Sequence, residues 1–297
     1  MSFSAIDLSR LAVPDAIETL DTEAAIAAIK ARVLALAPEL ADTLALESET
    51  AVKLIEALAW FGTLHRARVN DGVRAVMLAT ATGTDLENLA ALFGVARLTI
   101  RPADPEARPP LAAVLETDAE LRARTQLALE GFSVAGPHGA YRFHALSASG
   151  EVLDASVASP APGDVLVTVL GRTGDGTASA GLLAEVAEAL NDEEVRPLCD
   201  RVLVRSATIR PFAVTASLRL FEGPDAGTVI AAARAAVEAY VTESHRLGRA
   251  VRRSALFRAL HQEGVERVEL TAPAADIEVS PAEAASCTAI TLSEVTA

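Results

Sequence analysis

Between about Ser48 and about Ala81 no proline interrupts a run of more than thirty residues, and Val52, Ile55, Ala59, Gly62, Val69, Val73 and Val76 recur along it. Their spacing lies near the 3.5-residue period of helices that pack lengthwise. A single helix of that length would extend roughly 50 Å at about 1.5 Å per residue. A compact domain has too little chain to cover such a rod, so the seam predicts helical partners from other chains. Burial against the chain's own helices satisfies the same periodicity, which alone does not separate the two.

The flanking sequence is consistent with a helical N-terminal third. Asp21 and Thr22 offer caps for a helix carrying Ile26, Ile29, Val33 and Leu36, which Pro38 ends. Gly83 is expected to stop the long helix, Thr84 with Glu87 to form a capping box, and Gly94 to close the short helix between them. Composition then changes: RPADPEARPP at 101–110 holds four prolines in ten residues and reads as a linker. Thr117 with Glu120 supplies another capping box, and Gly136-Pro137 opens a helix with Tyr141, Phe143 and Leu146.

Beyond residue 150 helix and strand patterns mix. Val152 to Val157 and Asp164 to Leu170 read as a hairpin, followed by a helix with Leu182, Leu183, Val186 and Leu190 on one face. Arg201 to Val204 and Phe212 to Leu220 alternate as strands, with Pro211 at a strand start. Gly223-Pro-Asp opens a helix through Tyr240, Ser254 offers a cap for the next, and strands are expected at 265–270, 276–279 and 287–292. AYRFHALSASGEVLDASVASPAPGDVLV and ALFRALHQEGVERVELTAPAADIEV repeat helix, glycine, strand, proline turn and strand in one order. The fold class is therefore α+β: an N-terminal long-helix region (1–97), a proline-rich linker (98–116), then two small repeated α+β domains (117–209 and 210–297).

Several functions are disfavoured by composition. With 40 acidic against 26 basic residues the chain carries a formal charge of −14, which repels nucleic acid and anionic membranes. The N-terminus has acidic residues where a signal peptide needs basic ones, and no apolar run approaches the roughly 18 residues of a membrane span, so a cytoplasmic site of synthesis is expected. Cys199 and Cys287 are the only cysteines, too few and too far apart for a disulfide framework or a metal site.

LGRTGDGTAS at 170–179 is the one stretch that suggests ligand chemistry, since glycine-rich turns between strand and helix hold phosphates. A Walker loop needs a lysine after its last glycine, and no lysine follows Lys53. The glycine order fails the dinucleotide fingerprint, and a calcium loop would have only Asp175 as a carboxylate. A turn is the expected reading. An enzyme binding a phosphate-bearing small molecule at Gly171 to Thr177 is the alternative. His65, His138, His144, His245 and His261 show no metal-ligand spacing, Gly131-Phe-Ser-Val-Ala135 lacks the closing glycine of a nucleophile elbow, and Asn191-Asp-Glu-Glu194 reads as a solvated acidic run. No catalytic residue, cofactor or metal site is nominated.

RVNDGVRAVMLATATGTDLENLAALFGV at 68–95 and RTQLALEGFSVAGPHGAYRFHALS at 124–147 resemble the baseplate J-like family of contractile phage tails and related injection machines. The likeness continues through SPAPGDVLVTVLGRTGDGT, VRPLCDRVLV, EGPD and SPAEAASCTAITL, and so covers almost the whole chain. The resemblance implies a non-enzymatic wedge subunit of the virion tail baseplate, assembled in the host cytoplasm. It also implies N-terminal helices bundled with a second copy of the chain and a tail protein I type partner, contact with a lysozyme-like sheath-initiator protein, and a ring closed around central hub and spike proteins. On that reading Val52, Ile55, Ala59, Val69, Val73 and Val76 face partner helices, and Arg68, Asp71 and Arg74 flank the contact.

Overall fold

A computed structural model describes residues 6–133, 135–223 and 225–295. Val134 of the elbow-like stretch and Pro224 of the Gly223-Pro-Asp helix start lie outside these residues. The chain divides into two compact units at Ala96/Arg97.

The first unit is helical: α1 (Thr22–Leu36), a short α2 (Ala41–Leu44), α3 (Thr50–Ala75) and α4 (Gly83–Ala91). Asp21 caps α1 by accepting from the Ala24 amide at 2.9 Å. α3 is shorter than the sequence suggested, with 26 residues or about 39 Å. It stops at Ala75 because the Thr80 hydroxyl turns back to donate to the Arg74 carbonyl oxygen (2.7 Å), and the chain turns from there to Gly83. Gly83 begins α4 with a positive φ of 54° rather than ending α3, and Thr82, not Thr84, occupies the cap position. Gly94, at φ 69°, does end α4.

The second unit opens with β1 (Thr99–Arg101) and β2 (Val114–Leu115), an antiparallel pair extended by an Asp104–Leu111 bridge. The stretch expected to be a linker is thus a β-hairpin with the prolines toward its tip. Next come α5 (Asp118–Gly131), started by the Thr117/Glu120 capping box, and α6 (His138–Ala148). β3 (Val152–Ala158), β4 (Asp164–Gly171), α7 (Ala180–Leu190) and β5 (Arg201–Ser206) complete the middle domain. Its sheet runs β3-β4-β5, antiparallel then parallel. Tyr141 and Ala145 of α6 and Leu182, Val186 and Leu190 of α7 pack on Val165, Val167 and Val169.

The C-terminal domain comprises β6 (Thr208–Leu220), α8 (Ala226–Ser244), α9 (Arg253–Leu260), β7 (Val265–Ala272) and β8 (Glu283–Glu294), in the order β7-β6-β8. Both domains centre on a strand with one antiparallel and one parallel neighbour, but the central strand comes second in one and first in the other. Pro211 lies inside β6, where only β8 is paired; the β7 ladder begins at Thr215. α9 takes its cap from a distant loop, with Asp276 accepting from the Arg253 amide at 2.8 Å, and not from Ser254. Residues 276–279 contribute one bridge, Val251–Ile277, instead of a strand.

One residue, Ala207, separates β5 from β6. It is buried and donates its amide to the Val169 carbonyl oxygen at 2.8 Å. Leu170, Ala207 and Ala284 form an apolar cluster with Leu153, Ile209 and Leu247, and the Leu247 amide donates to Asp154 Oδ2 at 3.1 Å. The two α+β domains are therefore joined by backbone, apolar contact and a buried carboxylate together.

Candidate assembly interface

α3 is apolar on two faces. Val52, Ile55 and Ala59 lie on the first, where Val52 and Ile55 pack with Leu44 against Ile26, Ile29 and Val33. Further along the same face Asn70 is 3 % exposed, with Oδ1 accepting from the Glu18 amide (3.0 Å) and Nδ2 donating to the Glu18 carbonyl oxygen (2.8 Å). Arg66 pairs with the Glu18 carboxylate beside it. Asn70 thus straps the segment before α1 along the helix. Sequence reading passed over it because an asparagine in a charged stretch carries no periodic signal.

The second face, about 115° round the helix at 100° per residue, bears Leu54, Leu58, Phe61, Val69 and Val76. All five are more than half exposed, from 54 % for Phe61 to 70 % for Val76. Leu64 lies beside Phe61 at its edge, and Trp60, edge to face with Phe61 at 5.0 Å, is exposed farther round the helix. The residues expected to meet a partner therefore divide. Val52, Ile55 and Ala59 are covered by this chain, which corrects their place on an open seam; Val69 and Val76 are open and Val73 is half-buried. Of the flanking charges, Asp71 and Arg74 pair with each other at 3.1 Å and Arg68 is exposed.

The glycine-rich loop is a turn tied by its own hydrogen bonds. Gly171 donates to the Gly176 carbonyl oxygen at 2.8 Å, and Asp175 accepts from the Thr177 amide at 3.0 Å. Those bonds from Thr177 hold the Asp175 carboxyl below the ordinary carboxylate range. Gly174 and Gly176 have positive φ of 66° and 99°, and a Cβ at Gly176 would lie 2.7 Å from His245 Nε2 of the C-terminal domain. Gly174 and Gly176 serve a turn, and Gly176 also an interdomain contact. His245 Nδ1 lies 2.7 Å from the Ala285 carbonyl oxygen, and His144 Nε2 3.2 Å from that of Gly131. Burial pulls the His144 pKa below its ordinary value. Among the described residues no cluster of histidine, cysteine and carboxylate side chains is arranged to hold a metal. Cys199 and Cys287 are free thiols, and no described helix is long and apolar enough to cross a membrane.

Three family models match in order: the Baseplate J-like N-terminal domain over residues 47–104, the Baseplate J-like central domain over 133–206 and the Baseplate J-like protein C-terminal domain over 212–293. Baseplate protein J of Escherichia phage P2 is 50 % identical over 288 residues, 95 % of each chain. A chain of the anti-feeding prophage baseplate, solved by cryo-EM, aligns with 60 % of this chain at 18 % identity and a TM-score of 0.39, and this chain covers 44 % of that one. Shared over nearly its whole length, the role is structural and lies in the virion tail baseplate; it is not enzymatic. The chain belongs to the baseplate J-like family.

Proposed function

We propose that this chain is a baseplate wedge subunit whose α3 gives its second apolar face to helices of other subunits. Those helices come from a second copy of the chain and from a tail protein I type partner, while the α+β domains meet neighbouring wedges, the sheath initiator and the hub. The observation that supports this is the exposed row Leu54, Leu58, Phe61, Val69 and Val76 on a helix whose other face is already covered. Burying each such side chain contributes about 1.5–3 kcal/mol, so several together favour helix docking strongly. Val52, Ile55 and Ala59 then act indirectly, by fixing which face α3 turns outward.

Leu58→Asp with Phe61→Asp tests this reading. Both residues are exposed in the isolated chain, so the variant is expected to keep its helicity and unfolding midpoint. Carboxylates trapped in a helical interface are costly, so co-purification with tail components should fall at least tenfold. A variant that still enters baseplates at the normal level would refute the proposed face.

A further inference from the structure

Gly72 stands in the middle of the open face of α3. It follows Leu54 by 18 residues, or five whole turns at about 100° per residue, with Val69 and Val76 about one turn to either side. A glycine inside a helix destabilises it relative to every other residue except proline. Its use there is that another group can come close to the backbone. Where α5 meets α6 the chain uses glycine in that way: a Cβ on Gly131 would run into the Phe143 ring, and one on Gly139 would lie 2.8 Å from the Glu130 side chain. At Gly72 the same room is open, with nothing among the described residues within 4 Å of a Cβ. Gly62, equally unobstructed, lies at the border between the open face and the covered one.

The charges of α3 mark the same region. Lys53 pairs with Glu56, Arg66 with Glu18, and Arg74 with Asp71. Arg68, about one turn before Gly72 on the open face, is exposed and forms no ion pair among the described residues. Asp71, three residues on, is held by Arg74 instead. His65, three residues before Arg68 and also exposed, adds a ring nitrogen to this face. In a chain with 40 acidic against 26 basic residues, a cation left without a carboxylate beside an apolar row is the exception. Complementary charge at an interface selects the partner and fixes its register. The open face therefore combines an apolar row, a place where a backbone can approach, and a cation lacking its anion.

We infer that the helix docking on α3 crosses it in close contact at Gly72 and presents a carboxylate to Arg68. Its occupant is an acidic helix of another subunit. The inference rests on the reading of α3 given above and names the chemistry of the partner.

Three variants test it. Gly72→Gln puts a good helix former where the isolated chain has open space, so its unfolding midpoint should hold or rise. Entry into baseplates should nevertheless fall at least tenfold, because the side chain fills the gap a partner needs. Arg68→Glu, which sets like charges against each other, should also lower entry at least tenfold. Arg68→Lys keeps the charge and adds a primary amine to a chain whose other lysines are Lys30 and Lys53. Carbodiimide treatment of assembled baseplates should then couple residue 68 to an aspartate or glutamate of another chain, with at least tenfold less of that product from the unassembled chain. Normal entry of Gly72→Gln or Arg68→Glu, a lowered midpoint for Gly72→Gln, or assembled baseplates in which residue 68 couples to no other chain would overturn the inference. If baseplates still exclude the Leu58→Asp, Phe61→Asp variant in that case, the docking of α3 stands and only the acidic, closely crossing partner falls.

Discussion

Arg124 is 5 % exposed, and its guanidinium meets the Glu116 carboxylate through two nitrogens at the base of the hairpin. Removing one partner of a buried pair leaves an uncompensated charge and costs about 3–5 kcal/mol. Arg124→Ala should therefore lower stability by about that amount in chemical denaturation, whereas Arg201→Ala, which breaks a mostly exposed pair with Asp164, should cost under about 1 kcal/mol. Similar losses for the two would contradict the role assigned to Arg124. This network was only partly legible in the sequence. Thr117 and Glu120 announced themselves by a four-residue capping pattern, while Glu116 and Arg124, eight residues apart, meet only because the hairpin returns to α5. Asn70 escaped notice for the same reason, since its partner Glu18 is 52 residues away.

Among the elements, the glycine-rich loop shows how one local pattern suits two readings until its neighbours are known. A flexible turn and a phosphate cradle both need glycines; the contact of Gly176 with His245, 69 positions on, gives that glycine a packing role that no local pattern shows. Gly176→Val meets both a positive φ of 99° and the side chains of Leu170 and His245 at 2.6–2.7 Å. Gly174→Ala, at φ 66°, has nothing within 4 Å. Strain without a clash costs about 1–2 kcal/mol, and overpacking adds about 1–3 kcal/mol. Gly176→Val should therefore lose clearly more stability than Gly174→Ala in urea titration; equal losses would mean that the loop is not held at the domain joint. Helix starts at Asp21 and Thr117 were readable because their capping partners lie three residues away. The start of α9 was not, because Asp276 reaches it from a separate loop. The length of α3 was overestimated because the turn that ends it depends on a hydroxyl, Thr80, that periodicity does not register.

For the whole molecule, the order of domains and the α+β class were visible because alternation and capping are local. Which face of the long helix is open was not. Val52, Ile55 and Ala59 and the row from Leu54 to Val76 are both periodic, and only the path of α1 and the Asn70 strap decides which the chain covers itself. The middle and C-terminal domains, joined through Ala207 and the Leu170 cluster, belong to one compact unit. The central claim is that the outer face of α3 is completed by other subunits. Thiol labelling of a Leu58→Cys variant lacking Cys199 and Cys287, in the isolated chain and in assembled baseplates, tests it most directly. The account predicts rapid modification of the isolated chain and protection by at least tenfold after assembly; equal reactivity in both would contradict it.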